Sequence, residues 1–551
     1  MRHSESARPD DSAASSRDRT DATATGDSPG AAAAKVLPGA VAPRGNRRTR
    51  RRLTIGAGVL TGVAAVIGAL LVTPIVPSAD AEPALDGFYD QRPQWKSCDV
   101  PSLDKAGAQC ADITVPLNYA APQGETITVA ISRISATDTA NRRGIMLSNP
   151  GGPGGAGLDF TPEFGAAMTP EVRARYDLIG MDPRGIGRSS AVHCGWTRGF
   201  GLQSAGLDAA GYAESVASQA ELAARCATSG GERLRYFTTR NTARDMDVIR
   251  AVLGESKTSY YGTSYGTYLG AVYTQMFPER TDRIVLDSAV DPVRYGAVDM
   301  MRDMGAPNEA ALDAWADAAA AKNDRYRLGG TRAEVRATLM DLIRRAAEKP
   351  IRVGEYDVDE HALPMMLFTV LDDPRAYDSV SDMVRLFADA ADGKPITPDP
   401  GVLTSLAYML KADPADGAAQ MAIMCGDVAV PRDPAWYWRN IEAARGSQPV
   451  FGAFTNNITP CAFWAPPVEA ATEVHNAVPA LIVQSTGDTR TSYGNAQGLH
   501  RAMTASRLVT LENVAIHWIF GRYPNGCVYA AVNNYLLDGT VPANDATCQA
   551  D

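Results

Sequence analysis

The sequence predicts an α/β fold, a mostly parallel, doubly wound sheet with an inserted helical cap, and three observations carry that prediction. Short apolar strands run twice into glycine-rich turns, at "GIMLSNPGGPGGAG" (144–157) and "YDLIGMDPRGIGRSS" (176–190). The strand-like "KTSYYG" (257–262) passes through a tight turn into the helical pattern "YGTYLGAVYTQMF" (265–277). Buried-strand patterns recur at 282–292, 478–488 and 506–517, the first separated from the others by a long helical stretch. Strands alternating with glycine turns and helices build a parallel sheet, because each crossover lays a helix over a sheet face.

In chain order, residues 1–52 are rich in Ala, Ser, Asp, Arg and Gly with almost no large apolar side chain, the composition of a disordered basic N-terminal tail. Five arginines between Arg47 and Arg52 then precede an apolar run that carries no charge from Leu53 to Asp80 and ends in Ala79-Asp80-Ala81. Residues 53–81 read as a cleaved signal peptide or, since the run is long enough to span a bilayer, a retained signal anchor. Either reading places residues 82 onward outside the cytoplasm, secreted or anchored. The eight cysteines, Cys98, Cys110, Cys194, Cys226, Cys425, Cys461, Cys527 and Cys548, form no C-x-x-C pair and have no His at metal-ligand spacing. They are disulfide candidates rather than zinc ligands, and no metal site is expected. Eight cysteines allow 105 connectivities, among which pairing of sequence neighbours would close loops of modest length. A formal charge of −10 disfavours nucleic acid and anionic membrane as partners; a membrane is touched only through the possible anchor.

The folded region begins near Gly87. "ADITVPLNY" (111–119) and "TITVAISRI" (126–134) alternate apolar and polar residues as half-buried strands do, and predict an antiparallel entry hairpin. The two strand-to-glycine units follow, then a helix at "NTARDMDVIRAVLG" (241–254), with Asn241 or Thr242 as N-cap and Gly254 as C-cap. Residues 87–292 are thus the first part of an α/β core. From 293 to 420, Ala, Asp, Arg, Met and Leu recur at helical spacing with few β-branched runs, which predicts an all-helical cap. Strand patterns return in the C-terminal part of the core, 421–551.

Within this frame "YGTSYG" has the context of a nucleophile elbow: strand, sharp turn at Ser264 between Gly262 and Gly266, helix. A serine hydroxyl is a weak nucleophile and needs a base, which in turn needs an orienting carboxylate. In this kind of sheet the order is Ser, then Asp or Glu, then His. Of six histidines, His3 and His193 precede Ser264, His361 lies in the cap, and His475 precedes the strand due to carry the acid. His517, at the end of the last strand pattern, is preferred to His500, which falls inside a predicted helix. Asp488 closes "ALIVQSTGD" at a strand end and is preferred as the acid to Asp427 and Asp287, which read as ion-pairing or structural carboxylates. The oxyanion needs two main-chain N–H donors: Tyr265 after the nucleophile, and one from "NPGGPGGAG", where Gly152 is chosen with Gly151 next. That loop lacks the Lys-Ser/Thr ending of a phosphate-binding loop. No cofactor is required.

Together "NPGGPGGAG", "DPRGIGRSS", "TARDMDVIRAVLG", "YYGTSYGTYLG", "FPERTDRIVLDSAVDP", the "AIMCGD" to "CAFW" pair and "TGDTR" resemble the secreted tripeptidyl aminopeptidases of actinobacteria, in the prolyl-aminopeptidase branch of the α/β-hydrolases. The resemblance covers roughly 90–535. It implies an α/β-hydrolase fold and a secreted serine exopeptidase that releases short peptides, tripeptides above all, from free N-termini. By position it also implies Ser264 as nucleophile, Asp488 as acid and His517 as base. The chain departs from the family's pattern beside the base: the family usually has a glycine there, whereas "VAIHWIF" has Ile516 and Trp518.

Partners are then peptides with free N-termini. Three extended residues span about 10 Å, so a carboxylate at about that distance from Ser264 should hold the substrate ammonium. "GEYDVDEH" offers Glu355, Asp357, Asp359 and Glu360, which equally suit a solvated acidic loop. Two other readings compete. A secreted carboxylesterase would use the same triad on esters, and an inactive hydrolase-like binding module would lack a triad member, whereas none is missing.

Overall fold

The structure is a computed structural model, and it describes residues 85–411 and 416–550. The expected tail and signal segment, 1–81, lie outside the described residues. Among those described, no helix is long and apolar enough to cross a membrane.

Eleven strands occur among the described residues: β1 Gln109–Pro116, β2 Thr126–Ile134, β3 Gly144–Asn149, β4 Tyr176–Met181, β5 Thr258–Thr263, β6 Thr281–Asp287, β7 Ile351–Val353, β8 Tyr356–Val358, β9 Leu481–Ser485, β10 Arg507–Leu511 and β11 Ala546–Cys548. Nine form one sheet in the order β1-β2-β4-β3-β5-β6-β9-β10-β11. The entry hairpin is antiparallel, and β4 onward is parallel. The fold is that of an α/β-hydrolase, as expected.

The central strands are apolar throughout because helices cover both faces. Successive residues point to opposite sides, so Leu147, Tyr260, Ile284 and Ile482 enter one core while Met146, Tyr261, Val285 and Val483 enter the other. Two of the quoted motifs have a structural use here. Arg184 of "DPRGIG" and Asp245 of "TARDMD" form a fully buried ion pair at 2.5 Å, which also takes the Tyr119 hydroxyl at 2.7 Å. Removing one member would leave the other charge buried and unpaired.

Three local details differ from expectation. The helix Thr239–Val252 is capped by the Thr238 side chain, upstream of Asn241 and Thr242. The stretch expected to be all helical contains the hairpin β7–β8, and helices continue past residue 420 to Phe463 before the sheet resumes at Leu481. Strands of three residues carry too little alternation to be read from sequence. The same holds for β11, held beside β10 by parallel pairing and by the Cys527–Cys548 disulfide. The other disulfides are Cys98–Cys110, Cys194–Cys226 and Cys425–Cys461, all between sequence neighbours.

The register explains where chemistry can gather. Asn149 pairs with Gly262, Thr263 with Asp287, Asp287 with Val483, and Ser485 with Leu511. The carboxyl ends of β3, β5, β6, β9 and β10 therefore finish side by side, and the loops leaving them share one edge.

Candidate active site

One residue, Ser264, makes the whole turn between β5 and the helix Tyr265–Met276. Its φ of 57° and ψ of −127° lie where an L side chain is strained. Close backbone packing holds it there. A Cβ on Gly262 would meet the Gly266 carbonyl oxygen at 2.5 Å, and one on Gly266 would meet that of Asn149 at 2.6 Å. The Ser264 N–H donates to the Asp287 carbonyl at 3.0 Å.

The glycine-rich loop lies against this turn. A Cβ on Gly151 would come within 2.7 Å of the Ser264 Cβ, so only glycine fits. The Gly151 N–H is taken by Asn149 Oδ1 at 2.9 Å. The next residue, Gly152, is exposed, with φ +108°. The Tyr265 N–H opens a helix, where no intrahelical acceptor exists. The Tyr265 ring is buried and its hydroxyl meets Thr239 Oγ1 at 2.7 Å, which donates to Asp427 at 2.6 Å. Tyr295 donates to the same carboxylate at 2.9 Å, and burial pushes the Asp427 carboxyl up to about 6. Asp427 thus steadies the first turn after Ser264 and does not meet His517.

Asp488 and His517 are brought together. His517 Nδ1 lies 2.9 and 3.0 Å from the two carboxylate oxygens. The N–H groups of Arg490 and Thr491, the Thr491 hydroxyl and the Gln484 amide also donate to Asp488, at 2.7, 2.9, 2.8 and 3.2 Å. Burial opposes charge on this carboxyl, but the His517 ring and these donors outweigh it and hold Asp488 below the usual carboxylate range. An ionised carboxylate only accepts, so Nδ1 carries the proton and Nε2 is left as a base.

The loop after His517 is tied to Asp287, one of the two carboxylates expected to be ion-pairing or structural. Its buried carboxylate accepts the N–H groups of Ile519 at 3.1 Å and Phe520 at 2.7 Å and the Tyr261 hydroxyl at 3.2 Å. Burial pushes it up to about 6 against these donors. Trp518 takes up a left-handed conformation, φ +68°, at a position beside His517 where the resemblance leads one to expect glycine. Its N–H donates to Ser288 Oγ at 2.8 Å, and its Nε1–H is shared between the Tyr261 hydroxyl at 3.0 Å and the Phe520 carbonyl at 2.8 Å.

Two further groups at His517 were not singled out from sequence, Asp372 from the insertion and Arg522. Their contacts join positions 150 residues apart, and no local pattern reports that. His500 instead bonds Ser506 at 2.7 Å within its helix-to-strand turn. The acidic stretch 355–360 is taken up by local structure: Glu355 pairs with Lys411, Asp357 with Arg352, Asp359 caps His361 and Ala362, and Glu360 accepts the Leu207 N–H.

Residues 144–367 match a family model described as alpha/beta hydrolase fold, and 448–548 match one described as TAP-like protein. A tripeptidyl aminopeptidase of Streptomyces lividans is 34% identical over 483 residues, 82% of this chain and 86% of the relative. The serine protease Hip1 of Mycobacterium tuberculosis is 29% identical over 85% of this chain and 92% of its own. A carboxylesterase B of the same organism is 29% identical over 91% and 98%.

Proposed function

The chain belongs to the tripeptidyl aminopeptidase family of α/β-hydrolases and is a serine peptidase, and from that premise we propose that it is an exported exopeptidase releasing tripeptides from free N-termini through an acyl-enzyme on Ser264. The observation that carries this reading is the buried Asp488–His517 pair on the same sheet edge as the strained Ser264 turn. His517 Nε2 takes the Ser264 proton as Oγ attacks the scissile carbonyl. The oxyanion is received by the N–H groups of Tyr265 and Gly152, since that of Gly151 is already engaged. His517 then gives its proton to the departing amine, and activates the water that frees the tripeptide. Asp488 holds the ring's tautomer and stabilises the imidazolium. Four disulfides fit an oxidising compartment outside the cytoplasm.

One observation favours a second reading, an esterase on the same triad. The acids at 355–360 are all engaged locally, which leaves no free carboxylate among them for a substrate ammonium. The test compares hydrolysis of a free tripeptide anilide, the same tripeptide with its amine blocked, and a short acyl ester, beside Ser264→Ala. Cleavage of the free tripeptide alone, lost in the variant, is the expected result. Cleavage of the ester alone overturns the peptidase reading and keeps the triad.

A further inference from the structure

We propose that the tip of the insertion, residues 368–373, is part of the seat of the catalytic base: it positions His517 and the neighbouring acid loop, so the cap is a component of the triad's geometry as well as a cover. This rests on the assignment of Asp488 and His517 made above.

The helix Ala362–Val370 ends at the site. Two residues on, the Asp372 carbonyl accepts the His517 N–H at 3.2 Å. Arg522 Nη1 donates to the His517 carbonyl at 2.8 Å and to Asp372 Oδ2 at 2.9 Å, and Nη2 reaches Oδ1 at 3.3 Å. Both main-chain polar groups of His517 are therefore held, one by the insertion and one by an arginine that the insertion holds. Fixing the two peptide planes that flank a residue fixes its Cα–Cβ direction, and so the line along which the imidazole meets the serine.

The acid loop is gripped by the same segment. Arg490, two residues after Asp488, donates to the Phe368 carbonyl and lies over the Phe368 ring at 3.5 Å. Its N–H meanwhile bonds Asp488 at 2.7 Å. Two residues of the insertion four positions apart thus hold the two loops that bring acid and base together, Phe368 the acid loop and Asp372 the base loop. The charges around the His517 ring come from several elements: the carboxylates Asp488, Asp372 and Asp287, and the cations Arg490 and Arg522. Asp372 is held below the usual carboxylate range, since Arg490 and Arg522 outweigh its burial. Its charge therefore favours the imidazolium that forms as Ser264 is deprotonated.

Asp372 and Arg522 are positioning residues, and the test must separate positioning from folding. The variants are Asp372→Asn, Arg522→Gln and Arg522→Lys in the full chain. The first readout is the rate at which a fluorophosphonate labels Ser264, which reports serine activation whatever the natural substrate. The second is kcat and KM on the best substrate across pH. Misplacement of a catalytic group by about 1 Å costs up to about 100-fold. We expect labelling and kcat to fall about 10- to 100-fold in Asp372→Asn and Arg522→Gln, with KM nearly unchanged and unfolding midpoints near wild type. Arg522→Lys should recover part of the loss, and in Asp372→Asn the acidic limb of kcat/KM should move to lower pH. Labelling rates within about twofold of wild type in the folded variants would overturn the proposal. So would a fall that merely tracks lost folded protein. Should Asp372→Asn not fold, Arg522→Lys carries the same test, because it keeps the charge and loses the two-pronged grip. A wild-type enzyme that labels fast but cuts no peptide would instead count against the peptidase reading alone.

Discussion

Replacing Trp518 by glycine should destabilise the protein, although glycine is the residue its backbone geometry favours. A left-handed φ of +68° costs an L side chain about 1 to 2 kcal/mol, which glycine would recover. Against that stand the contacts of the indole. Its Nε1–H serves two acceptors, Tyr261 Oη and the Phe520 carbonyl, at 3.0 and 2.8 Å, together about 1.5 kcal/mol. The ring packs on Phe160 with centroids 5.4 Å apart, about 1 kcal/mol, and hides apolar surface for about 2 more. Glycine also frees the unfolded chain by about 0.5 kcal/mol. The losses exceed the gain by about 3 kcal/mol. Urea unfolding of wild type and Trp518→Gly, followed by far-ultraviolet circular dichroism, measures the difference without relying on the lost fluorophore. A variant as stable as wild type, or more so, would refute the reasoning and mean that backbone strain dominates at this site. The same loop carries His517, so kcat should fall in parallel.

Three other outcomes follow from the site. Asp488→Asn removes the acceptor that sets the His517 tautomer, and kcat should fall by about 10³ to 10⁴ with the fold intact; a loss under tenfold would move the acid elsewhere. Gly151→Ala puts a methyl 2.7 Å from both the Ser264 Cβ and the Thr263 carbonyl oxygen, so serine labelling should drop by at least about 100-fold, and unchanged labelling would show that the loop can retreat. Asp287, pushed up to about 6 from 3.8, makes a stabilising contribution that is fully present below about pH 4 and is lost as pH rises through 6. Asp287→Asn should remove about 2 kcal/mol of the stability difference between pH 4 and 7, read from urea midpoints at the two pH values, and parallel curves would count against it.

The legible parts of this molecule are those in which local geometry and chemistry coincide. A one-residue turn at Ser264 demands small neighbours on both sides, and the sequence has to carry them as Gly262 and Gly266. Asp488 and His517 stand in the loops that leave β9 and β10, because the carboxyl ends of the parallel strands deliver those loops to a common edge. Asp287, expected to be structural or ion-pairing, is structural, but its place at a strand end does not by itself say so. A carboxylate at a strand end looks the same in sequence whether it holds an imidazole or, as here, the main chain two and three residues further on. Trp518 was read as a departure at the base, and its positive φ shows that the backbone kept the form glycine would give while a large side chain took on the anchoring. The strands β7, β8 and β11 are too short for any periodicity to declare them.

The insertion itself is the part that sequence describes least, and its size is tolerable for a physical reason. It leaves after β6 and returns at β9, yet these strands pair directly, Val285 with Leu481 and Asp287 with Val483. Closing a loop of about 190 residues in place of a six-residue turn costs only about 3 kcal/mol in chain entropy, because the cost grows with the logarithm of length. The sheet can thus carry an insertion of almost any content without losing register. What constrains the insertion is contact with the site. Asp372 and Phe368 lie next to the loops that carry the base and the acid, and a cap that failed to return there would leave His517 with one of its two main-chain tethers missing.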